Sequence, residues 1–117
     1  MSCEDLIGHL FLARDVTHSV HLNTRSFAKH KALGKFYPAV IDLADTLAEA
    51  YQGRYGLIGP ITLHSAEKTN NVVEFLEDSM KKVEKEREEY DDTAIQNIID
   101  EIIALYLSTL YKLKFLA

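Results

Sequence analysis

The chain has 117 residues, of which 47% are hydrophobic and 26% charged, and its formal net charge is −5. These values describe one globular domain, residues 1–117, and they argue against a surface built to bind nucleic-acid phosphates. No apolar run approaches the ~20 residues that span a bilayer, and the single Cys3 cannot form an internal disulfide. Because the acidic start also lacks the basic segment of a secretory signal, we expect a cytoplasmic protein with no membrane partner.

Apolar residues at intervals of three and four predict two helices in the first half of the chain. The first runs from about Cys3 to Leu22. The second begins after a cap at Thr24 or Ser26 and continues to about Gln52. Pro38 lies inside the second helix, where its ring removes a backbone hydrogen bond, so we expect a kink there.

The second half of the chain predicts a long connection and two further helices. Residues 53–69 contain three glycines and a proline and are interpreted as a loop. The third helix runs from about Thr69 or Asn70 to Tyr90. After a break at Asp91 and Asp92, the fourth continues to about Phe115. It is apolar around much of its circumference, so we expect it to be buried on more than one side, in the core and in an oligomer contact.

The lengths of the connections indicate how the four helices are arranged. Short connections join helices one and two, and helices three and four, so each pair forms a hairpin. A seventeen-residue connection is long for a compact domain, but it can run the length of a helical bundle. The sequence therefore predicts an all-α, ferritin-like four-helix bundle with a long crossover between helices two and three.

Four side chains in the first two helices can bind a metal ion: His18, His30, Asp45 and Glu49. Asp45 and Glu49 lie one turn apart on one helix face. His30 lies on roughly the same face but fifteen residues earlier, ~22 Å along the helix, so one copy of the helix cannot bring all the ligands together. Two antiparallel copies, with a two-fold axis near Tyr37 and Pro38, would place His30 of one beside Asp45 and Glu49 of the other.

This spacing resembles the motif of the Dps-like mini-ferritins, in which Phe27 also has a counterpart three residues before the second histidine. The resemblance covers about a third of the chain well and implies an iron-oxidation site shared between two subunits. It further implies that His18 and His30 hold one iron, with Glu49 bridging to a second beside Asp45. The family commonly has an aspartate four residues after the second histidine, where this chain has Gly34.

The resemblance implies a homo-oligomer with a two-fold interface, extending to a closed shell, that takes Fe(II) from solution and oxidises it with peroxide or dioxygen. Nucleic-acid binding is expected to be absent or weak, because the chain is acidic and begins without a lysine-rich segment. The alternative is a non-catalytic dimeric helical bundle that acts as a binding module and retains only a decayed metal site.

Simpler interpretations apply to the other polar residues. His9, His21 and His64 are interpreted as ordinary surface or core histidines, and Tyr37 and Tyr51 as packing residues. Asp42 is interpreted as a surface acid that could also act as an auxiliary ligand. The pair Glu74 and Glu77 resembles the magnesium-binding pairs of all-α nucleotide pyrophosphohydrolases, and that function would require Asp42 and Asp45 on the adjacent helix.

Overall fold

The computed structural model describes residues 1–116, which form four α-helices. They are α1 (Cys3–Asn23), α2 (Phe27–Tyr55), α3 (Val72–Arg87) and α4 (Thr93–Phe115). The predicted all-α, four-helix class is confirmed. Among the described residues, no helix combines the length and the apolar character needed to cross a bilayer.

Polar side chains cap the beginning of each helix. Ser2 and Asp5 form a capping box at α1, and Ser26, Asn71 and Asp92 accept hydrogen bonds from first-turn amides of α2, α3 and α4. Each cap satisfies backbone donors that have no partner inside the helix.

Several predicted boundaries were wrong by a few residues. Gly53 does not end α2, which continues to Tyr55 and stops at Gly56, whose φ of +98° suits only a residue without a side chain. α3 begins at Val72 and ends at Arg87, three residues before the predicted Tyr90. α2 runs as one continuous helix through Pro38.

The helices form a ring in which α1 packs on α2 and α3, and α4 packs on the same two helices. α1 and α4 are not neighbours, nor are α2 and α3. Contacts between opposite ends show that neighbouring helices are antiparallel. Arg54 near the end of α2 binds Asp92 at the start of α4, and Glu77 in α3 pairs with Lys114 at the end of α4. The amine of Met1, before α1, pairs with Glu86 at the end of α3, and α1 meets α2 across the short turn between them. The apolar faces enclose one core, whose largest fully buried side chains include Tyr106, Phe36, Leu6, Leu33, Leu76 and Ile99.

The connection from α2 to α3, residues 56–71, lies beside α1. Near the first turn of α1, the Gly59 amide donates to Glu4 at 2.9 Å and the Thr62 hydroxyl donates to Asp5 at 2.6 Å. Residues 67–70 share a surface depression with the last turns of α1. A Cβ added at Gly8 would lie 1.8 Å from the Thr62 carbonyl oxygen, so the approach of the loop requires glycine there.

The outer face of α4 is exposed within one chain, and its predicted oligomer contact stays a prediction. The helix is buried where it faces α2 and α3, at residues such as Ile95, Ile99, Ile102 and Tyr106. Leu107, Tyr111 and Phe115 point outward and are 52%, 54% and 73% exposed. Within one chain, therefore, α4 is buried on its core side alone.

Candidate functional site

Two histidines face each other where α1 turns into α2. His21 Nδ1 lies 2.6 Å from the His30 carbonyl oxygen, and His30 Nδ1 lies 2.7 Å from the His21 carbonyl oxygen. Because a carbonyl oxygen only accepts, both Nδ1 atoms carry the proton and donate it. In the neutral rings, each Nε2 therefore keeps a free lone pair, the arrangement in which proteins commonly present histidine to a metal. We call His21 and His30 the histidine pair.

Gly34 makes room for the histidine pair. A Cβ added at this position would lie 2.8 Å from Cε1 and 3.1 Å from Nδ1 of His21. The His21 ring thus occupies the space beside the residue at which mini-ferritins carry an aspartate. The pair and Gly34 line a surface depression of about 410 Å³ together with Lys31 and Lys35.

The aromatic rings around the pair form a continuous row. The histidine pair is stacked, with ring centroids 3.8 Å apart and planes 14° apart. His18 stacks on Tyr37 at 4.0 Å and 7°, and Tyr37 in turn lies 5.3 Å from the His21 ring. Tyr37 therefore packs between α1 and α2 as expected, where it stacks on His18 and lies tilted against His21. His18 lies in the same row as His30 and is not stacked against it.

Asp45 and Glu49 lie on the exposed face of α2, away from the histidine pair. Since His30 and Asp45 belong to one helix, fifteen residues separate them by ~22 Å. Among the described residues, no three His, Cys, Asp or Glu side chains come close enough to hold a metal ion together. The four predicted ligands are therefore not brought together within one chain.

The exposed face of α2 carries an ordered charge pattern. Six of its exposed residues recur at alternating intervals of four and three, and we call this set the α2 seam: Lys31, Lys35, Pro38, Asp42, Asp45 and Glu49. Both cations precede the proline, and all three acids follow it. A seam with this spacing lies along one side of a helix and matches the contact line of paired helices.

A second polar cluster is buried in the core. His9 Nε2 lies 3.1 Å from the Ser79 carbonyl oxygen and 2.9 Å from Ser79 Oγ, which lies 2.7 Å from the Tyr106 hydroxyl. Burial lowers the pKa of His9 and raises that of Tyr106. His9 is thus a core histidine, as interpreted from the sequence, and its ring is held neutral.

The magnesium-binding alternative does not fit this fold. Glu74 and Glu77 lie on α3, whereas Asp42 and Asp45 lie on α2, and these two helices are diagonal in the bundle. Glu77 instead pairs with Lys114 at 3.2 Å. Two carboxylate pairs on helices that are not neighbours cannot share one ion, so the geometry of that enzyme class is absent here.

The sequence interpretation missed His21. It was assigned to an ordinary surface or core position, but it is the direct partner of His30. Two features of the sequence point to it: His21 and His30 flank the short turn between antiparallel helices, and Gly34 lies one helical turn after His30. A glycine inside a helix commonly marks a close approach.

Comparison with known proteins gives a family without an assigned activity. The family DUF5856, described as a family of unknown function, matches residues 21–113, a range that includes the histidine pair, Asp45 and Glu49 but not His18. An uncharacterised 14.6 kDa protein from the mobD–ri intergenic region of Enterobacteria phage T4 is 29% identical over 115 residues, covering 95% of this chain and 87% of that protein. No solved structure matches the chain. The family match spans most of the sequence, and the chain therefore belongs to the DUF5856 family.

Proposed function

We propose that two copies of this chain pair through the α2 seam, bind iron between them and oxidise Fe(II). Each site takes an imidazole from His30 of one copy and the carboxylates of Asp45 and Glu49 from the other. The observation that carries the proposal is the α2 seam, whose basic half and acidic half are complementary only when the second helix runs in the opposite direction.

The charge pattern defines this pairing. Two parallel seams would set lysine against lysine and acid against acid, which is destabilising. Two antiparallel seams centred on Pro38 set Lys31 against Asp45 and bring His30 within one residue of that contact. The contact is isologous, so it creates two identical sites, and a two-fold dimer is the commonest assembly of soluble chains.

The ligand types suit iron. Imidazole nitrogen and carboxylate oxygen bind Fe(II), and carboxylates favour the ferric product because it carries more charge. The planes of the two stacked rings are only 14° apart, so the in-plane lone pairs of His21 and His30 do not converge on one ion. Each site is therefore expected to use one imidazole of the pair.

The oxidation draws its second reactant from solution. Two Fe(II) ions each give one electron to a peroxide, which takes up two protons and leaves as two waters. Dioxygen could replace the peroxide by accepting two electrons and two protons to form hydrogen peroxide. If the two-fold contacts extend to a closed shell, the ferric product would be retained as stored iron.

Complementation between two inactive variants tests the shared site. His30→Ala and Asp45→Ala each remove a ligand from both sites of a homodimer. In a mixed dimer one site loses both ligands and the other is intact, so free reassortment should restore roughly a quarter of the wild-type sites. The assay is ferric absorbance after mixing, partial denaturation and reassembly. His64→Ala, in the exposed loop, is the matched control and should keep full activity.

Failure to recover oxidation, with mixed dimers verified by mass, would rule out the shared site. Both substitutions are on partly or fully exposed positions, so large folding losses are not expected. Retained activity in either single variant would equally exclude that residue as a ligand.

A second candidate is a non-catalytic dimer that uses the same seam. The observation that favours it is the His21 ring beside Gly34, which leaves no space for the mini-ferritin aspartate. Lys31 of one copy would then pair with Asp45 of the other, without metal. A stable dimer that shows no spectral change with Fe(II) in air supports this function. Ferroxidase activity gained only in the double variant His21→Ala/Gly34→Asp would support it further.

A further inference from the structure

α4 presents a second ordered surface that the α2 seam does not use. Leu107, Tyr111 and Phe115 succeed each other at intervals of four and are all more than half exposed. Ala104 precedes Leu107, and Ser108 lies between Leu107 and Tyr111; both are exposed as well. We call these five residues the α4 stripe. The rings of Tyr111 and Phe115 lie 6.2 Å apart and form one continuous apolar surface.

The stripe is not needed to build the bundle. The core side of α4 is filled by buried residues such as Ile95, Ile102 and Tyr106, which face α2 and α3. The two aromatic residues of the stripe, Tyr111 and Phe115, lie at its C-terminal end, and the small residues Ala104 and Ser108 lie before them. A contiguous exposed apolar strip of this kind marks an interaction surface more often than scattered single residues do.

The order of small and large residues selects the orientation of a partner helix. A parallel second copy would set Tyr111 and Phe115 against themselves and Ala104 against Ala104, which crowds one end and leaves a gap at the other. An antiparallel copy with its axis near Ser108 sets Tyr111 of one helix within one residue of Ala104 of the other, while Ser108 lies opposite Ser108. Alternation of large and small residues across a helix contact is what lets the layers interdigitate.

The charges at the two ends of the stripe select the same orientation. Glu101 precedes it and Lys112 lies within its C-terminal half, whereas Asp100 and Lys114 already pair with Arg87 and Glu77 of the same chain. An antiparallel partner brings Glu101 of one copy towards Lys112 of the other at both ends. A parallel partner sets Glu101 beside Glu101. We propose that a second copy of this chain docks on the α4 stripe, with the two α4 helices antiparallel and a two-fold axis near Ser108.

This interface is independent of the α2 seam and does not rest on iron binding. Two different two-fold contacts on one chain generate assemblies larger than a dimer. If both form, the chain assembles at least into tetramers; if the α4 contact alone forms, it remains a dimer with free α2 seams.

Cysteine cross-linking tests the orientation. Ser108→Cys lies near the proposed axis, so two copies should form an intermolecular disulfide under mild oxidation. Phe115→Cys lies seven residues away, which separates its two copies by ~21 Å in the antiparallel pair, beyond the ~7 Å limit for a disulfide. A mixture of Ala104→Cys and Tyr111→Cys should cross-link where each alone does so poorly. The wild-type chain is the control, because its Cys3 is buried.

Mass measurement in solution tests the interface itself. Tyr111→Glu should halve the mass of the assembly by light scattering or sedimentation equilibrium. Leu57→Glu, at a loop residue that is 93% exposed, should leave the mass unchanged. Unchanged mass for Tyr111→Glu, or self-cross-linking of Phe115→Cys as efficient as that of Ser108→Cys, would overturn the proposal. Loss of mass in Tyr111→Glu with an unchanged rate of Fe(II) oxidation would separate this interface from the iron site.

Discussion

Substituting Gly34 by alanine tests whether this glycine exists to admit the His21 ring. In an ordinary helix interior, glycine to alanine stabilises by ~1 kcal/mol. Here the new Cβ would lie 2.8 Å from His21 Cε1, so the ring must move. The His21 ring is held by the hydrogen bond from its Nδ1 to the His30 carbonyl oxygen at 2.6 Å and by stacking on the His30 ring.

The expected magnitude follows from these contacts. The hydrogen bond of the His21 ring contributes ~0.5–1.5 kcal/mol net, and the stack adds ~0.5 kcal/mol. Losing both would offset or outweigh the gain in helix propensity, so Gly34→Ala should destabilise the fold by up to ~1 kcal/mol. In a His21→Ala background the obstacle is gone, and the same substitution should stabilise by up to ~1 kcal/mol. The coupling between the two sites is therefore ~1–2 kcal/mol.

Urea unfolding of the four chains of this double-mutant cycle measures the coupling, provided that all four show the same dependence on denaturant. Gly53→Ala is the matched control, because Gly53 also lies in α2 but its added Cβ would meet no atom within 4 Å. If Gly34→Ala and Gly53→Ala stabilise equally, and the effect of Gly34→Ala does not depend on His21, then the His21 ring does not require a glycine at position 34.

Three further outcomes are expected. Gly8→Ala should detach the loop and destabilise the fold by roughly 1–3 kcal/mol, seen as faster proteolysis within 56–71; unchanged proteolysis would contradict the close contact with Thr62. His9 is held neutral, so the folded state binds fewer protons than the unfolded state as pH falls below the ordinary histidine pKa of ~6.5. Stability should therefore decrease there, by up to ~1.4 kcal/mol per pH unit, and His9→Gln should flatten that slope in urea unfolding at pH 5 and 8. Burial raises the pKa of the Cys3 thiol to about 11, so native protein should react slowly with a thiol reagent at pH 8 and unfolded protein quickly; equal rates would refute the burial.

Periodicity was sufficient to predict the number of helices, because each helix must turn an apolar side towards the core. The ends of the helices were harder to predict. Gly53 was predicted to end α2. An exposed glycine does not end a helix when the residues after it also favour helix, and α2 therefore continues until Gly56, whose φ is positive. α3 ended early because its last predicted turn, after Arg87, is polar and exposed at Glu88 and Glu89.

The candidate site was only partly predictable for a different reason. Spacing along one helix identifies residues that share a face, and it placed Asp45 and Glu49 together. It does not give the register between two helices, which depends on how the α1–α2 turn aligns them. His21 therefore met His30, and His18 met Tyr37, whereas the resemblance to mini-ferritins implied that His18 and His30 share one iron.

The loop at 56–71 has a consequence for how the chain can be divided. It is attached to α1 through Gly59 and Thr62, whereas residues 63–68 are exposed. A cut there would separate the molecule into its two hairpins, each with one long apolar side that only the other hairpin covers. Two such fragments, produced separately, should recognise each other and reconstitute the bundle. Joining a split reporter to the new ends would turn that recognition into a signal, with the core itself acting as the binding surface.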